Sequence, residues 1–142
     1  SGNSMMAKQL LRLSAYTGDS RYDEAARKVL LPLLPAMQTY PQAFGEALNA
    51  ADMLIRGLAE VAIVGNPTKE ETKSLLGQVR EVYRPNVITA LARDNIDGET
   101  NIPLLNFRVM REDKPTVYVC RNFMCKMPVT SVDEMVKLLS EK

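Results

Sequence analysis

The segment GLAEVAIVGNPTKEE at residues 57–71 decides the fold, because the hydrophobic period changes within it. Before this segment, apolar residues recur at the three- and four-residue spacing of amphipathic helices. Val61–Val64 is instead a continuous apolar run closed by a glycine, which predicts a strand buried on both faces. We therefore predict a helical segment at 1–57 followed by a small α/β domain at 58–142.

Three helices are predicted upstream of the quoted segment. The first covers residues 3–18, with Met6, Leu10 and Leu13 facing inward, and the second begins directly after it. Pro32 and Pro35 fall late in the second helix, so we expect it to kink or fray there.

The third helix covers 41–57, and its predicted apolar face includes Ala47, Leu48 and Ile55. Three helices cannot cover a sheet and also bury their own apolar faces. We therefore expect these helices to need packing partners outside this sequence.

Downstream of the quoted segment, Thr68 and Glu71 have the spacing of a capping pair that begins a helix. Strand signals follow at 87–91 and 117–119, and Thr130 or Ser131 can cap a last helix. The order predicts a βαβ-β-α unit with a three-stranded, mainly parallel sheet. The predicted fold class is therefore α+β.

Composition excludes several classes of function. The chain has 142 residues, of which 46% are hydrophobic, and its net charge is +1, which argues against binding to nucleic acid. No apolar run approaches the ~18 residues of a membrane span, and no signal peptide is evident. We expect a cytoplasmic protein, and its start at Ser1 without an initiator methionine suggests a piece of something larger.

The absence of histidine removes the usual general base, the partner of a serine or cysteine nucleophile, and a common metal ligand. With only two cysteines, no zinc site made of cysteine and histidine can be completed within the chain. We predict no metal and no cofactor, and the sequence leaves open whether the chain belongs to an enzyme.

Cys120 and Cys125 are separated by four residues, between a strand signal and a helix start. A turn after the strand would let them form a disulfide or a redox pair. They could equally be inert free thiols, since a reducing cytosol keeps thiols unpaired. We favour the free structural thiols, because only Arg121 and Lys126 nearby argue for an activated thiolate.

The loop Gly65–Thr68 lies between a strand and a helix start, where free backbone N–H groups can receive an anion. It lacks the glycines that let a pyrophosphate approach, and Pro67 removes one donor. We therefore favour ordinary helix capping for this loop.

Six motifs in fixed order carry a resemblance to a known family. They are SGNS at 1–4, TGDSRY at 17–22, FGEALNAADML at 44–54, EVAIVG at 60–65, VREVYRPNV at 79–87 and YVCRNFMCKMPVT at 118–130. In this order the chain resembles the C-terminal end of the thioredoxin-domain-containing family of the spermatogenesis-associated type. The helix junction in TGDSRY is shared by many α/α toroids, whereas the cysteine-containing string is much less expected by chance.

In that family a thioredoxin-like domain precedes a six-hairpin α/α toroid similar to sugar epimerases and glycosidases, and a short α/β segment closes the protein. The resemblance implies that the helices at 1–57 are the final part of the toroid. It transfers no redox chemistry, because the thioredoxin-like domain lies outside this chain.

The same resemblance places Asn3 and Ser4 at the rim of the toroid, where they could line a sugar pocket with Asp52 or Glu46 as carboxylates. The alternative is that Asn3 and Ser4 only cap the first helix, and we favour this interpretation.

Our leading hypothesis is a non-catalytic structural and interaction module of a multidomain protein. Its partners would be the toroid and thioredoxin-like domain of the parent chain or a second copy of itself, with no nucleic acid and no membrane. One alternative is part of a sugar-acting enzyme that binds carbohydrate only as the full-length protein. Another is a thiol redox partner acting through Cys120 and Cys125.

Overall fold

The computed structural model describes residues 2–122 and 124–141. Ser1 and Phe123, which belong to two of the quoted motifs, and Lys142, the predicted end of the α/β domain, lie outside the described residues. The chain divides into two compact units, Ser1–Leu58 and Ala59–Lys142. Each unit is described by itself.

The helical unit is a small set of α-helices joined by short turns. Its helices are α1 (Gly2–Thr17), α2 (Ser20–Leu30), α3 (Leu34–Thr39) and α4 (Gly45–Arg56), with 3-10 turns at Leu31–Leu33 and Pro41–Phe44. Helix α1 packs against both α2 and α4. In residues 2–122 and 124–141, no helix is both long and apolar enough to cross a membrane.

Two predicted signals shape the helical unit. Gly18 ends α1 with a φ of 69°, where its N–H donates to the Ser14 carbonyl at 2.8 Å. Asp19 then caps α2 by accepting from the Arg21 N–H at 3.0 Å. The predicted break at the prolines is confirmed, because a 3-10 turn containing Pro32 separates α2 from α3.

The inward face predicted for α1 is wrong. Met6 and Leu13 are exposed, and the buried positions are Ser4, Ala7 and Leu11. The small side chain of Ala7 lets a neighbouring helix approach closely, so packing favours that face over the bulkier one. A stripe of large apolar side chains on α1 is therefore left uncovered within this unit.

The α/β unit contains a four-stranded mixed sheet. Its elements are β1 (Ala59–Val64), α5 (Glu70–Glu81), β2 (Val87–Ala92), β3 (Thr116–Arg121), β4 (Met124–Cys125) and α6 (Val132–Ser140), with a 3-10 turn at Pro103–Leu105. The strand order is β2-β1-β3-β4, in which β1 is parallel to β2 and antiparallel to β3, and β3 is antiparallel to β4.

The predicted three-stranded, mainly parallel sheet is wrong in strand number and in direction. A parallel partner needs a crossover that returns the chain to the starting edge of the sheet. Thr116, the first residue of β3, instead pairs with Val64, which is also paired with Ala92 at the end of β2. Strand β3 thus starts at the edge where β2 ends, and it runs antiparallel.

Strand β1 is buried on both faces, as its sequence predicts. Helices α5 and α6 cover one face, with a core of Ala59, Val61, Ile63, Leu75, Val79, Val117, Val119, Met135 and Leu139. On the other face, the 3-10 turn at Pro103–Leu105 packs against β1 and β2 with both leucines buried. We call this the loop face of the sheet.

The two predicted caps in this unit have different outcomes. Ser131 caps α6 by accepting from the Glu134 N–H at 3.3 Å. Thr68 does not cap α5, because the helix begins at Glu70 with Lys69 as its N-cap residue and no side-chain cap.

We expect Gly65→Ala to lower the free energy of unfolding by about 1–3 kcal/mol. A Cβ at this position would meet Thr72 Oγ1 at 2.7 Å and the Pro115 Cβ at 2.9 Å, so the start of α5 or of β3 must shift. Gly77→Ala in α5 is the matched control, because a Cβ there meets nothing within 4 Å. It should stabilise the protein by up to about 1 kcal/mol through helix propensity. Urea denaturation measures both, and equal effects of the two substitutions would contradict the close approach at Gly65.

Candidate functional site

A charged and sulfur-containing group of residues lies on the loop face of the sheet. Glu60 in β1 pairs in register with Cys120 in β3, and Cys120 pairs with Cys125 in β4. Side chains directly opposite one another on neighbouring strands lie on the same face of the sheet. Residues two apart on one strand also share a face, so Tyr118 lies on the same face as Cys120. These four residues and Arg108 form what we call the Arg108 cluster.

Arg108 is the centre of this cluster. Its Nη2 donates to Cys125 Sγ at 3.2 Å and to Cys120 Sγ at 3.5 Å. Its guanidinium carbon lies 4.7 Å from the centroid of the Tyr118 ring, a cation–π distance. Its Nε donates to the Leu104 carbonyl at 3.3 Å. Three different kinds of contact therefore hold this one side chain in place.

Tyr118 also fixes the backbone that carries Arg108. Its hydroxyl donates to the Val109 carbonyl at 2.7 Å and accepts from the Val109 N–H at 3.3 Å. Immediately before Arg108, Phe107 has a φ of 57°, a region that residues other than glycine rarely adopt. The loop therefore turns sharply here and is bound to β3 directly after the turn.

Glu60 is a carboxyl group inside the sheet, with only 6% of its surface exposed. Burial raises the pKa of Glu60, because the charged form loses its hydration, and the positive charge of Arg108 acts in the opposite direction. The burial effect is the larger of the two. The Arg108 cluster therefore contains a carboxyl group that is harder to ionise than usual.

Cys120 and Cys125 are joined in a disulfide, with their Cα atoms 3.9 Å apart. Our preferred interpretation of two free thiols is therefore wrong for this structure. Free thiols are expected only in a reducing environment, and β4, which brings the two residues into register, is too short to give a periodic signal in the sequence. Within the pair, Cys120 is buried with 1% exposed and Cys125 is exposed.

The candidates for a sugar pocket lie in helices α1 and α4 of the helical unit. Asn3 is exposed and Ser4 is buried, and both lie in the first turn of α1 rather than before it. In α4, Asp52 Oδ1 forms an ion pair with Arg56 Nε at 2.6 Å. In the same helix, Glu46 Oε2 lies 3.3 Å from Lys8 Nζ of α1. Both carboxylates are therefore already engaged by cations.

A cavity of about 560 Å³ lies at the edge where β1 and β2 end. Its charged lining is balanced, with Lys69, Arg93 and Lys114 against Glu71, Asp94 and Asp113. In the adjacent loop, Asn66 Oδ1 accepts from the Thr68 N–H at 3.0 Å and from the Thr68 hydroxyl at 2.8 Å. One N–H of the loop is thus used within the loop, which argues against an anion site. The helix capping that we favoured for Gly65–Thr68 is also wrong, because α5 has no side-chain cap.

In the described ranges 2–122 and 124–141, no three histidine, cysteine or acidic side chains are grouped so as to hold a metal ion. Both cysteines of the Arg108 cluster are predicted site residues, whereas Glu60, Arg108 and Tyr118 are not. One usable signal was present, since a carboxylate directly before a fully apolar strand needs a nearby positive charge.

We expect Glu60→Gln to remove a pH-dependent loss of stability. The usual pKa of a glutamate is 4.5, and the folded value is raised. Between pH 4.5 and the higher pKa of the folded protein, Glu60 is ionised in the unfolded chain but still protonated in the folded one. The free energy of unfolding therefore falls as the pH rises through this window, until Glu60 ionises in the folded protein as well. Below the window both states are protonated and the loss is absent.

Urea denaturation of the wild type and of Glu60→Gln from about pH 4 to 8 measures this effect. Glu99→Gln, at an exposed position of the same unit, is the control and should follow the wild type at every pH. A constant difference between Glu60→Gln and the wild type across this range would contradict the role of burial.

Comparisons with known proteins support the similarity to spermatogenesis-associated proteins. No protein-family model matches this chain, and no solved structure matches it. The chain is 32% identical over 147 residues to spermatogenesis-associated protein 20 of Mus musculus and 33% identical over 147 residues to that of Rattus norvegicus, in each case over 99% of this chain. It is 32% identical to that of Homo sapiens over 98% of this chain.

The chain spans only 18% of the length of each of these relatives. By sequence, this chain is therefore similar along nearly its whole length to one segment of spermatogenesis-associated protein 20, a segment that is less than a fifth of that protein.

Proposed function

We propose that this chain is a non-catalytic structural and interaction module, the C-terminal part of a longer multidomain protein. In this proposal 1–57 is the end of an α/α toroid and 58–142 is a small α/β domain that closes the chain. The observation that carries the proposal is the uncovered apolar surface of the helical unit.

That surface follows two helices in regular stripes. In α1, Met6 and Leu13 are seven residues apart and 55% and 43% exposed. In α4, Leu48 and Ile55 are also seven residues apart and 40% and 82% exposed. Residues seven apart lie on one side of an α-helix, so each pair marks a continuous apolar stripe.

The buried side of the same helices uses small residues. Ala7 in α1 and Ala47 and Ala50 in α4 have no exposed surface. These alanines allow the helices to pack closely with one another, while the larger apolar side chains point away. Such a helix has two apolar sides, and in a layered all-helical protein the second side packs against a further helix.

We assign this second side to the preceding helices of the toroid in the parent protein. The relatives that match this chain are more than five times its length, so the parent would have ample chain to supply such helices. A second copy of this chain is the competing occupant, and it is an outcome of the test below. A cytoplasmic location belongs to the same proposal.

Among residues 2–58, the described part of the helical unit, no contact favours the sugar-acting alternative, because Asp52 forms an ion pair with Arg56. That alternative rests on the family resemblance alone. Binding to nucleic acid is not part of the proposal, since the net charge is +1.

We expect Leu48→Gln with Ile55→Gln to behave differently in the short chain and in the full-length parent. In this 142-residue chain both sites are exposed, so each substitution should change the free energy of unfolding by less than about 0.5 kcal/mol. In the parent both side chains should be buried against the toroid, so each should cost roughly 1.5–3 kcal/mol. Urea denaturation of the four proteins measures the difference.

Tyr83→Gln is the matched control, because Tyr83 is an exposed apolar residue of the other unit, and its effect should be the same in both lengths of protein. Equal effects of the double substitution in the two lengths would refute the proposed toroid contact. If the short chain is instead a dimer in sedimentation that the double substitution dissociates, and the parent is unaffected, the occupant is a second copy and our assignment fails.

A further inference from the structure

We propose that the Arg108 cluster is a thiol–disulfide exchange site whose substrate is a dithiol. In this site Cys125 is the sulfur that is attacked, Cys120 is the leaving sulfur, and Arg108 stabilises the thiolate that Cys120 becomes. This exchange is stoichiometric, because it consumes the one disulfide, and it goes beyond the structural role proposed above without depending on it.

The two sulfurs differ in accessibility, and this difference sets the direction of the exchange. Cys125 lies in β4, a two-residue strand at the open edge of the sheet, and it is exposed. Cys120 lies in β3 between β1 and β4 and is 1% exposed. An incoming thiolate must approach the sulfur that it attacks, so it can reach Cys125 but not Cys120.

Arg108 supplies the charge that such a reaction needs. The leaving sulfur departs as a thiolate, and exchange is faster when that thiolate is more stable. A neighbouring arginine is a known means of stabilising a cysteine thiolate. Arg108 Nη2 lies 3.5 Å from Cys120 Sγ and 3.2 Å from Cys125 Sγ. The same guanidinium can therefore stabilise the thiolate of Cys120 in the first step and that of Cys125 in the second.

The position of Arg108 does not depend on the disulfide. The Leu104 carbonyl accepts from its Nε, and the Tyr118 ring lies beside its guanidinium. Neither contact involves a cysteine sulfur, so neither requires the S–S bond. Glu60 lies near the same guanidinium, and burial raises the pKa of its carboxyl group above the usual value.

The exchange balances as follows. One thiolate of the dithiol forms a bond to Cys125 Sγ, the Cys120–Cys125 bond breaks, and its electron pair remains on Cys120 Sγ. The second thiolate of the substrate then attacks the substrate sulfur that is bonded to Cys125, and Cys125 leaves as a thiolate. The substrate loses two electrons and two protons and becomes a disulfide, and both cysteines become thiols.

The first test measures the rate at which dithiothreitol reduces the oxidised 142-residue chain, followed by alkylation and mass spectrometry. Arg108→Gln should slow the reduction on the order of tenfold, through loss of a charge-assisted hydrogen bond to the leaving sulfur. Arg108→Lys keeps the charge and should retain most of the rate. Arg80→Gln, on the exposed side of α5, is the control and should leave the rate unchanged.

The second test assigns the roles of the two sulfurs. With glutathione disulfide, the Cys120→Ser chain should form a mixed disulfide at Cys125, seen as an added glutathionyl mass. The Cys125→Ser chain should remain largely unmodified at the buried Cys120. Circular dichroism of each variant establishes that the sheet is retained.

Equal reduction rates for the wild type and Arg108→Gln would overturn the role of Arg108. Faster modification of Cys120 than of Cys125 would overturn the direction of attack. Arg108→Lys keeps the first test decisive if Arg108→Gln does not fold, because a rate about tenfold below that of the wild type in this folded, positively charged variant would refute the charge effect.

Discussion

Strand β1 must be covered on both faces, and the rest of the α/β unit is arranged to meet that requirement. Every residue of β1 is buried. Helices α5 and α6 cover one face through the residues of the main core. The chain between β2 and β3 covers the other face with the buried residues Leu104 and Leu105, without forming a further α-helix. This long connection is therefore part of the fold and not a free surface loop.

Covering the loop face has an electrostatic consequence. The residues of β1 on that face include Glu60, and a buried carboxyl group is costly unless a positive charge or a proton neutralises it. The structure supplies a positive charge, because the same connection brings Arg108 near the carboxyl group, while burial raises the pKa of Glu60. Register then places Cys120 directly opposite Glu60. The proximity of arginine to the disulfide thus follows from the burial of one glutamate.

The sequence predicts those elements whose signal is local. The apolar run of β1, the glycine at the end of α1 and the Ser131 cap of α6 each depend on a few adjacent residues, and each is confirmed. Strand β4 has only two residues, too few for a periodic signal. The direction of β3 depends on which edge of the sheet its long connection reaches, and that is a tertiary property. Arg108 lies between β2 and β3, outside every predicted helix and strand, so its place beside the cysteines could not be derived from spacing.

The face of α1 shows a different limit of sequence reasoning. Periodicity identifies a stripe of large apolar side chains but does not say whether that stripe packs inside the unit or against another part of a protein. Here close packing between helices selects Ala7, and Met6 remains outside. The wrong assignment of the inner face is therefore informative. Helix α1 has two apolar sides, one with small residues in close contact and one with large exposed residues. This pattern is typical of a helix that lies between two neighbouring helices.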